Sequence, residues 1–264
     1  MLYDAHNHLQ DERLDPWREE IIAMMPGTGL GEMIVNGSCE EDWPQVAELA
    51  RRLTWVRPAF GLHPWYVKER SPAWLEMLHE YLQSHPQAVV GETGLDRWIE
   101  NPDIEAQIEC FKAQIDLAVE LDRPITIHCL RAFGLLDEVL RSVTLPRRGF
   151  LLHSYGGPVE MVPGFVKLGA YFSISPYFGH PRKAAQLATF ASIPLDRLLA
   201  ETDAPDMHPP PELNPHPLDD PAGKTLNHPA NLGVSYDLIA QQHRITREAA
   251  EGAVATNFAR LFGA

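Results

Sequence analysis

Cysteine is scarce in this chain. Cys39, Cys110 and Cys129 are odd in number and lack C-x-x-C spacing, which argues against a disulfide framework or a zinc ribbon and fits a reducing cytoplasm. Cations are also short: 22 Lys and Arg face 36 Asp and Glu, giving a formal net charge of −14. That sign is wrong for wrapping long stretches of nucleic acid, so any polyanionic substrate needs local positive charge. No apolar run reaches the roughly 18 residues of a membrane span, and the start lacks a charged segment followed by a long apolar one, so no signal peptide is expected. There is no internal repeat and no charged tail. What is present is 264 residues, 45% of them hydrophobic, enough for one large α/β domain or two small ones.

Eight short apolar, β-rich runs recur between turn signals: Leu2 to Asp4, Glu32 to Asn36, Val56 to Gly61, Ala88 to Glu92, Ile125 to His128, Phe150 to His153, Tyr171 to Ile174 and Leu198 to Thr202. Helix-length segments separate them. The clearest spans Ile104 to Leu121, where Ile104, Ile108, Phe111, Ile115 and Ala118 recur at three- and four-residue steps. Others cover about 13–25, 43–52, 72–85, 131–141, 158–168, 182–191, 232–243 and 246–262. Alternation of mostly non-alternating apolar strands with helices describes a parallel sheet, and at this length the α/β class is best met by a (β/α)8 TIM barrel, ahead of an open doubly wound sheet. Residues 203–231 break the pattern, with eight prolines and no helix or strand periodicity. A loop this long after the last strand is expected to sit over the C-terminal mouth of the barrel.

The polar residues fall in one register. His6 and His8 follow the first strand, His63 the third, Glu92 ends the fourth, His128 the fifth, His153 the sixth, and Asp203 follows the eighth. In a barrel these strand ends converge, so seven metal-capable or acid/base side chains share one rim, a metal site at the C-terminal face. His6 and His8 alternate on one strand face and can reach one ion. Asp4, one step deeper, is expected to orient a histidine N–H. Imidazoles with carboxylates suit zinc or another transition ion, whereas Mg²⁺ prefers more oxygen. A single histidine in an apolar run is more often structural; the joint placement carries the argument. Other barrels of this type often place a carbamylated lysine on strand four, but this chain has GETGLD, and a carboxylate there can bridge two ions with one oxygen each.

These motifs, DAHNH, GLHPW at 61–65, VVGETGLD at 89–96, PITIHC at 124–129, LLHSYGG at 151–157 and LLAETDAP at 198–205, resemble in order the TatD-like metal-dependent hydrolases, a branch of the amidohydrolase superfamily that includes deoxyribonucleases. The resemblance covers nearly the whole chain and implies a single barrel domain, residues 1–264. It also implies two divalent ions, Mg²⁺, Mn²⁺ or Zn²⁺, one held by His6, His8, Glu92 and Asp203, the other by Glu92, His128 and His153. Asp203 would take a proton from the attacking water, and His63 would touch the substrate rather than a metal.

The resemblance implies a deoxyribonuclease; the net charge favours a short contact at DNA ends, single-stranded ones above all, hence an exonuclease, expected in the cytoplasm with no membrane and no obligate protein partner. Departures bear on substrate: Leu226-Asn227-His228-Pro229 stands where the family has Arg-Asn-Glu-Pro, Cys129-Leu130 where Ser-Arg is usual, and Ser154-Tyr155 where Cys-Phe is common. The alternative is therefore an amidohydrolase-type enzyme cleaving a small ester, lactone, amide or phosphoester. A non-catalytic scaffold would predict a damaged ligand set, which is not what the sequence holds. Trp65, Trp98, Tyr155 and Tyr177 are read as loop packing rather than base stacking, His180, His208, His216 and His228 as solvated loop histidines, and Asn257 as structural.

Overall fold

Each of the eight β-rich runs forms a strand in the computed structural model, which describes residues 1–263. They are β1 (Leu2–Asn7), β2 (Leu30–Asn36), β3 (Val56–Phe60), β4 (Val89–Asp96), β5 (Ile125–Leu130), β6 (Phe150–Leu152), β7 (Ala170–Ile174) and β8 (Leu198–Ala200). All neighbouring pairs are parallel and the order is sequential from β1 to β8, with helices between, which is a (β/α)8 barrel. The seam is closed just beyond β8, where Asp203 N–H donates to the His6 carbonyl at 2.9 Å and His8 N–H to the Ala204 carbonyl at 2.7 Å.

The helices are α1 (Arg18–Met24), α2 (Trp43–Arg52), α3 (Trp74–Ser84), α4 (Ile104–Glu120), α5 (Phe133–Arg141), α6 (Val162–Lys167), α7 (Ala184–Thr189), α8 (Leu232–His243) and α9 (Arg247–Phe262). Helix α4 starts where Asp103 accepts the Ala106 N–H, and fully buried Phe111 and Ile115 contribute about 1.5–3 kcal/mol each. Its buried stripe is not wholly apolar. Ile104 and Ile108 stay half-buried, while Gln107 and Gln114 are fully enclosed. Gln107 accepts from the Asp96 N–H and donates to the Asp96 carbonyl, at 2.9 and 3.0 Å. Gln114 does the same for Leu62, at 2.8 and 3.1 Å, and adds the Thr93 hydroxyl at 2.6 Å. Two glutamines two turns apart thus fix the backbone on either side of the site. Asn257 on α9 donates to the Leu195 and Leu198 carbonyls, both at 2.8 Å, and is structural.

Several strands run past the bounds expected from the sequence: β1 continues to Asn7, taking in His6, and β5 to Leu130, placing His128 inside it. Strand β4 continues through Asp96, so Glu92 lies within it rather than at its end. At Gly94, with φ +143°, a Cβ would stand 2.0 Å from the His128 carbonyl oxygen, so only glycine lets β4 approach β5 here. Within the proline-rich segment, β9 (Pro217–Asp219) pairs antiparallel with β10 (Thr225–Asn227). Three-residue strands are too short to show a period of two. Their turn is held by Asp220, which accepts from the Ala222 and Lys224 N–H groups.

Candidate metal centre

Glu92 sits at the middle of the barrel mouth with its two oxygens facing different nitrogens. Oε2 lies 3.4 Å from His6 Nε2 and 3.2 Å from His8 Nε2. Oε1 lies 2.8 Å from His153 Nε2, 3.2 Å from His128 Nδ1 and 3.3 Å from His63 Nε2. Asp203, at φ +54° just past β8, brings Oδ1 within 3.5 Å of His6 and 3.6 Å of His8. The structure therefore gathers all seven rim residues, from six different strand ends, around one carboxylate.

Local hydrogen bonds fix which imidazole atoms offer lone pairs. His8 Nδ1 meets the Asn36 carbonyl at 2.8 Å, so a neutral His8 carries its proton there and presents Nε2 to Glu92. His128 Nε2 meets Asp96 Oδ2 at 3.0 Å, which places the proton on Nε2 and the lone pair on Nδ1. His63 is set the other way. Its Nδ1 accepts the Trp65 N–H at 3.2 Å, so the neutral ring has Nε2–H as a donor and no lone pair facing the centre.

The charges follow from this crowding. Burial pushes the Glu92 carboxyl up, but His63, His153 and His6 hold it well below the usual carboxylate range. Against burial, the Glu92 hydrogen bond and charge, with Asp203, lift His8 to about 9. His128 is raised against burial by Asp96 and Glu92, and His153 well raised by Glu92 and Glu201. Burial and the neighbouring His153 push His6 well down, and burial with His128 takes His63 to about 4. Burial lifts Asp203 to about 7.

The donor chemistry fits divalent cations. His6 Nε2 and His8 Nε2 are 3.1 Å apart, and His128 Nδ1 and His153 Nε2 3.3 Å, separations at which two lone pairs need a proton or a cation between them. Sets of donor atoms close enough to share an ion include His6 with His8 and Asp203, His6 with Glu92 and His153, and His153 with Glu201 and Asp203; His63 also lies close to Glu92 and His128 but turns an N–H toward them. Buried Glu201 Oε1 and His153 Nδ1, 3.8 Å apart, lack hydrogen-bond partners among the described residues.

Several roles differ from the sequence reading. Asp4 does not orient a histidine ring: its carboxylate accepts the backbone N–H of His6 at 3.2 Å and the Thr202 N–H and hydroxyl at 3.0 and 2.5 Å, pinning β1 to β8. Burial pushes it up to about 8. His228 is not solvated: it is buried, its Nδ1 accepts the Ala230 N–H at 2.9 Å, and burial takes its pKa to about 4. His63 and His228 thus cap H-P-x turns in the same way. Tyr155 is buried with its hydroxyl on the Pro158 carbonyl, as packing requires, whereas Trp65 and Trp98 are exposed. The residues that sequence reasoning missed are Asp96, Glu201, Gln107 and Gln114. GETGLD and ETD already contained two of them, and polar residues at positions 107 and 114 inside an apolar stripe were the signal for the others.

Comparison with known proteins gives one consistent picture. The family model described as TatD related DNase matches residues 3–263. The metal-dependent hydrolase YjjV of Escherichia coli (strain K12) is 32% identical over 206 residues, 77% of this chain and 79% of that one. The 3'-5' ssDNA/RNA exonuclease TatD of Salmonella typhimurium is 31% identical over 90% of both chains. The crystal structure of the E. coli YjjV protein superposes with a TM-score of 0.89 at 27% identity, covering 100% of this chain and 98% of that one. An organophosphorus hydrolase of Deinococcus radiodurans, at 16% identity and a TM-score of 0.65, shares the fold.

Proposed function

Because this chain belongs to the TatD-related DNase family of metal-dependent hydrolases, we propose that it cleaves phosphodiester bonds at DNA ends as a two-metal exonuclease. That it is a hydrolase acting on ester bonds is the coarser statement, and it follows from the family. The observation carrying the finer one is the division of Glu92 oxygens between His6 and His8 on one side and His128 and His153 on the other.

In this reading His6, His8, Glu92 and Asp203 would hold one ion, and Glu92, His128 and His153 the other. When bound, such ions would supply Lewis acidity, lowering the pKa of a water toward neutrality and offsetting negative charge on phosphoryl oxygens. Asp203 takes the proton released by the attacking water, a role its position at the seam beside His6 and His8 supports. His63, neutral and with Nε2–H pointing into the centre, donates to a phosphoryl or departing oxygen. Asn36 and Asp96 hold His8 and His128 in the required tautomers. The ions and His63 give local positive charge in a chain of net −14, which favours a short contact at an end over a long groove. The donor type, imidazole with carboxylate, would suit Zn²⁺ or another transition ion ahead of Mg²⁺.

One observation favours the alternative of a small ester or amide substrate: Leu226 stands buried where the family places an arginine, so no guanidinium is available there. The deciding experiment is mononucleotide release from end-labelled single-stranded DNA with Mn²⁺ or Mg²⁺, wild type against Asp203→Asn. Release by the wild type alone supports the nuclease and reports the end attacked. Intact DNA with metal-loaded protein moves the assignment to the small substrate.

A further inference from the structure

Among the described residues, four of the large apolar side chains left in water gather on adjoining strand ends. Trp65 and Tyr66, 47% and 38% exposed, follow β3; Trp98, 56% exposed, follows β4; and Leu130, 38% exposed, ends β5. This is the rim sector that carries His63 and His128, and clustered apolar exposure marks an interaction surface. The Trp65 indole and the Trp98 backbone are held in place. Trp65 Nε1–H donates to Asp96 Oδ2 at 2.8 Å, the Trp98 backbone N–H to Asp96 Oδ1 at 2.6 Å, and His63 meets the Trp65 ring edge-on at 5.3 Å. Lys68 Nζ on the Asn101 carbonyl, at 2.6 Å, ties the two loops together.

Free positive charge lies in the same sector. Arg97 and Arg131, sequence neighbours of Trp98 and Leu130, are exposed and meet no carboxylate at ion-pair distance among the described residues. By contrast Arg13, after β1, is taken up by Asp11 and Asp206, and Arg70, on the loop after β3, lies 3.9 Å from Glu109. Two unpaired guanidiniums beside two exposed indoles, in so acidic a chain, are chemically matched to a phosphate-linked string of unpaired bases.

We propose that the loops after β3, β4 and β5 form a landing platform for a single-stranded end, with Trp65 and Trp98 stacking on bases and Arg97 and Arg131 holding the flanking phosphates. The platform rests on the nuclease reading and deepens it. Duplex DNA hides its base faces within the stack, so only an unpaired end can use the indoles. Asp96 joins platform and centre, since its Oδ2 accepts from both Trp65 Nε1 and His128 Nε2.

The test compares kcat/KM for oligothymidylate and for bis(p-nitrophenyl) phosphate, both with Mn²⁺ and the full chain. The variants are Trp98→Ala, Arg97→Ala and Arg131→Ala, all on the surface; Trp65→Ala is avoided because it also frees Asp96. The expected result is that oligonucleotide kcat/KM relative to the diester falls about tenfold in each. The slope of log affinity against log salt falls by about 0.7 for each arginine removed. If the wild type degrades the oligonucleotide and the variants do so equally well, the platform is wrong and the nuclease reading stands. If the wild type turns over the diester and leaves the oligonucleotide intact, the nuclease reading falls and the platform with it. Preference for duplex, or a wild-type dimer split by Trp98→Ala with unchanged oligonucleotide kinetics, would also overturn the proposal, the latter by assigning the face to a second copy.

Discussion

Replacing Asp96 with asparagine tests how the centre is held without touching a proposed ligand. Asp96 has no spare acceptor capacity. Oδ1 accepts from Trp98 and Ile99 N–H at 2.6 and 3.3 Å, while Oδ2 accepts from Trp65 Nε1 at 2.8 Å and His128 Nε2 at 3.0 Å. An amide supplies one acceptor oxygen and one NH₂ donor group. With its oxygen on the backbone pair, its NH₂ faces Trp65 and His128, and His128 relieves the clash by moving its proton to Nδ1. That proton then points at Glu92 Oε1, 3.2 Å away, and the lone pair needed by a metal is lost. A lost charge-assisted hydrogen bond is worth about 1.5–3 kcal/mol. This converts to roughly 10- to 150-fold in affinity, in line with the 10- to 100-fold typical of groups that orient metal-binding histidines. Chelator competition with Mn²⁺ or Zn²⁺ should show that loss, and turnover should recover at high metal with KM for substrate little changed. Wild-type metal affinity in Asp96→Asn would refute the tautomer argument. A kcat deficit that excess metal does not restore would show that Asp96 acts on the substrate instead.

Three other perturbations separate ligand, donor and structural roles. Glu92→Gln should abolish tight metal binding and turnover together, because both oxygens face imidazoles; metal analysis of the purified variant checks it, and two retained ions would exclude bridging. His63→Asn keeps the acceptor for the Trp65 N–H and removes the Nε2 donor, so metal content should hold while kcat falls about 10²- to 10³-fold. Loss of metal in that variant would make His63 a ligand. His228 is depressed from 6.5 to about 4, so the unfolded chain takes up its proton first and the stability is full above about pH 6.5 and lost as pH falls toward 4. At 1.36 kcal/mol per pH unit the gap is worth up to about 3 kcal/mol. His228→Asn keeps an acceptor for the Ala230 N–H and should make the fall of denaturant midpoints between pH 6.5 and 4 shallower, with His63 and His6 supplying the rest; an unchanged acid limb would place the titration elsewhere.

The barrel and the circle of candidate ligands were legible in the sequence for one physical reason. Apolar runs of three to six residues specify buried parallel strands, and a parallel barrel brings every strand's C-terminal end to one rim. His6, His8, His63, Glu92, His128, His153 and Asp203 could therefore be placed together before any distance was known. What the linear order could not carry is which atom of each side chain is free. That depends on partners far away in the chain: the Asn36 carbonyl for His8, Asp96 for His128, and Gln107 and Gln114 for the backbone at Asp96 and Leu62. Asp4, two residues from His6, was misjudged because its partner is Thr202, brought beside it only when the barrel closes. Exposure was likewise a tertiary outcome, since Tyr155 and Trp98 are both aromatic residues in loops after strands, and only packing buries one and leaves the other in water. Strand periodicity decided where the chemistry gathers, and long-range hydrogen bonds and loop packing decided which protons it carries and which faces it shows.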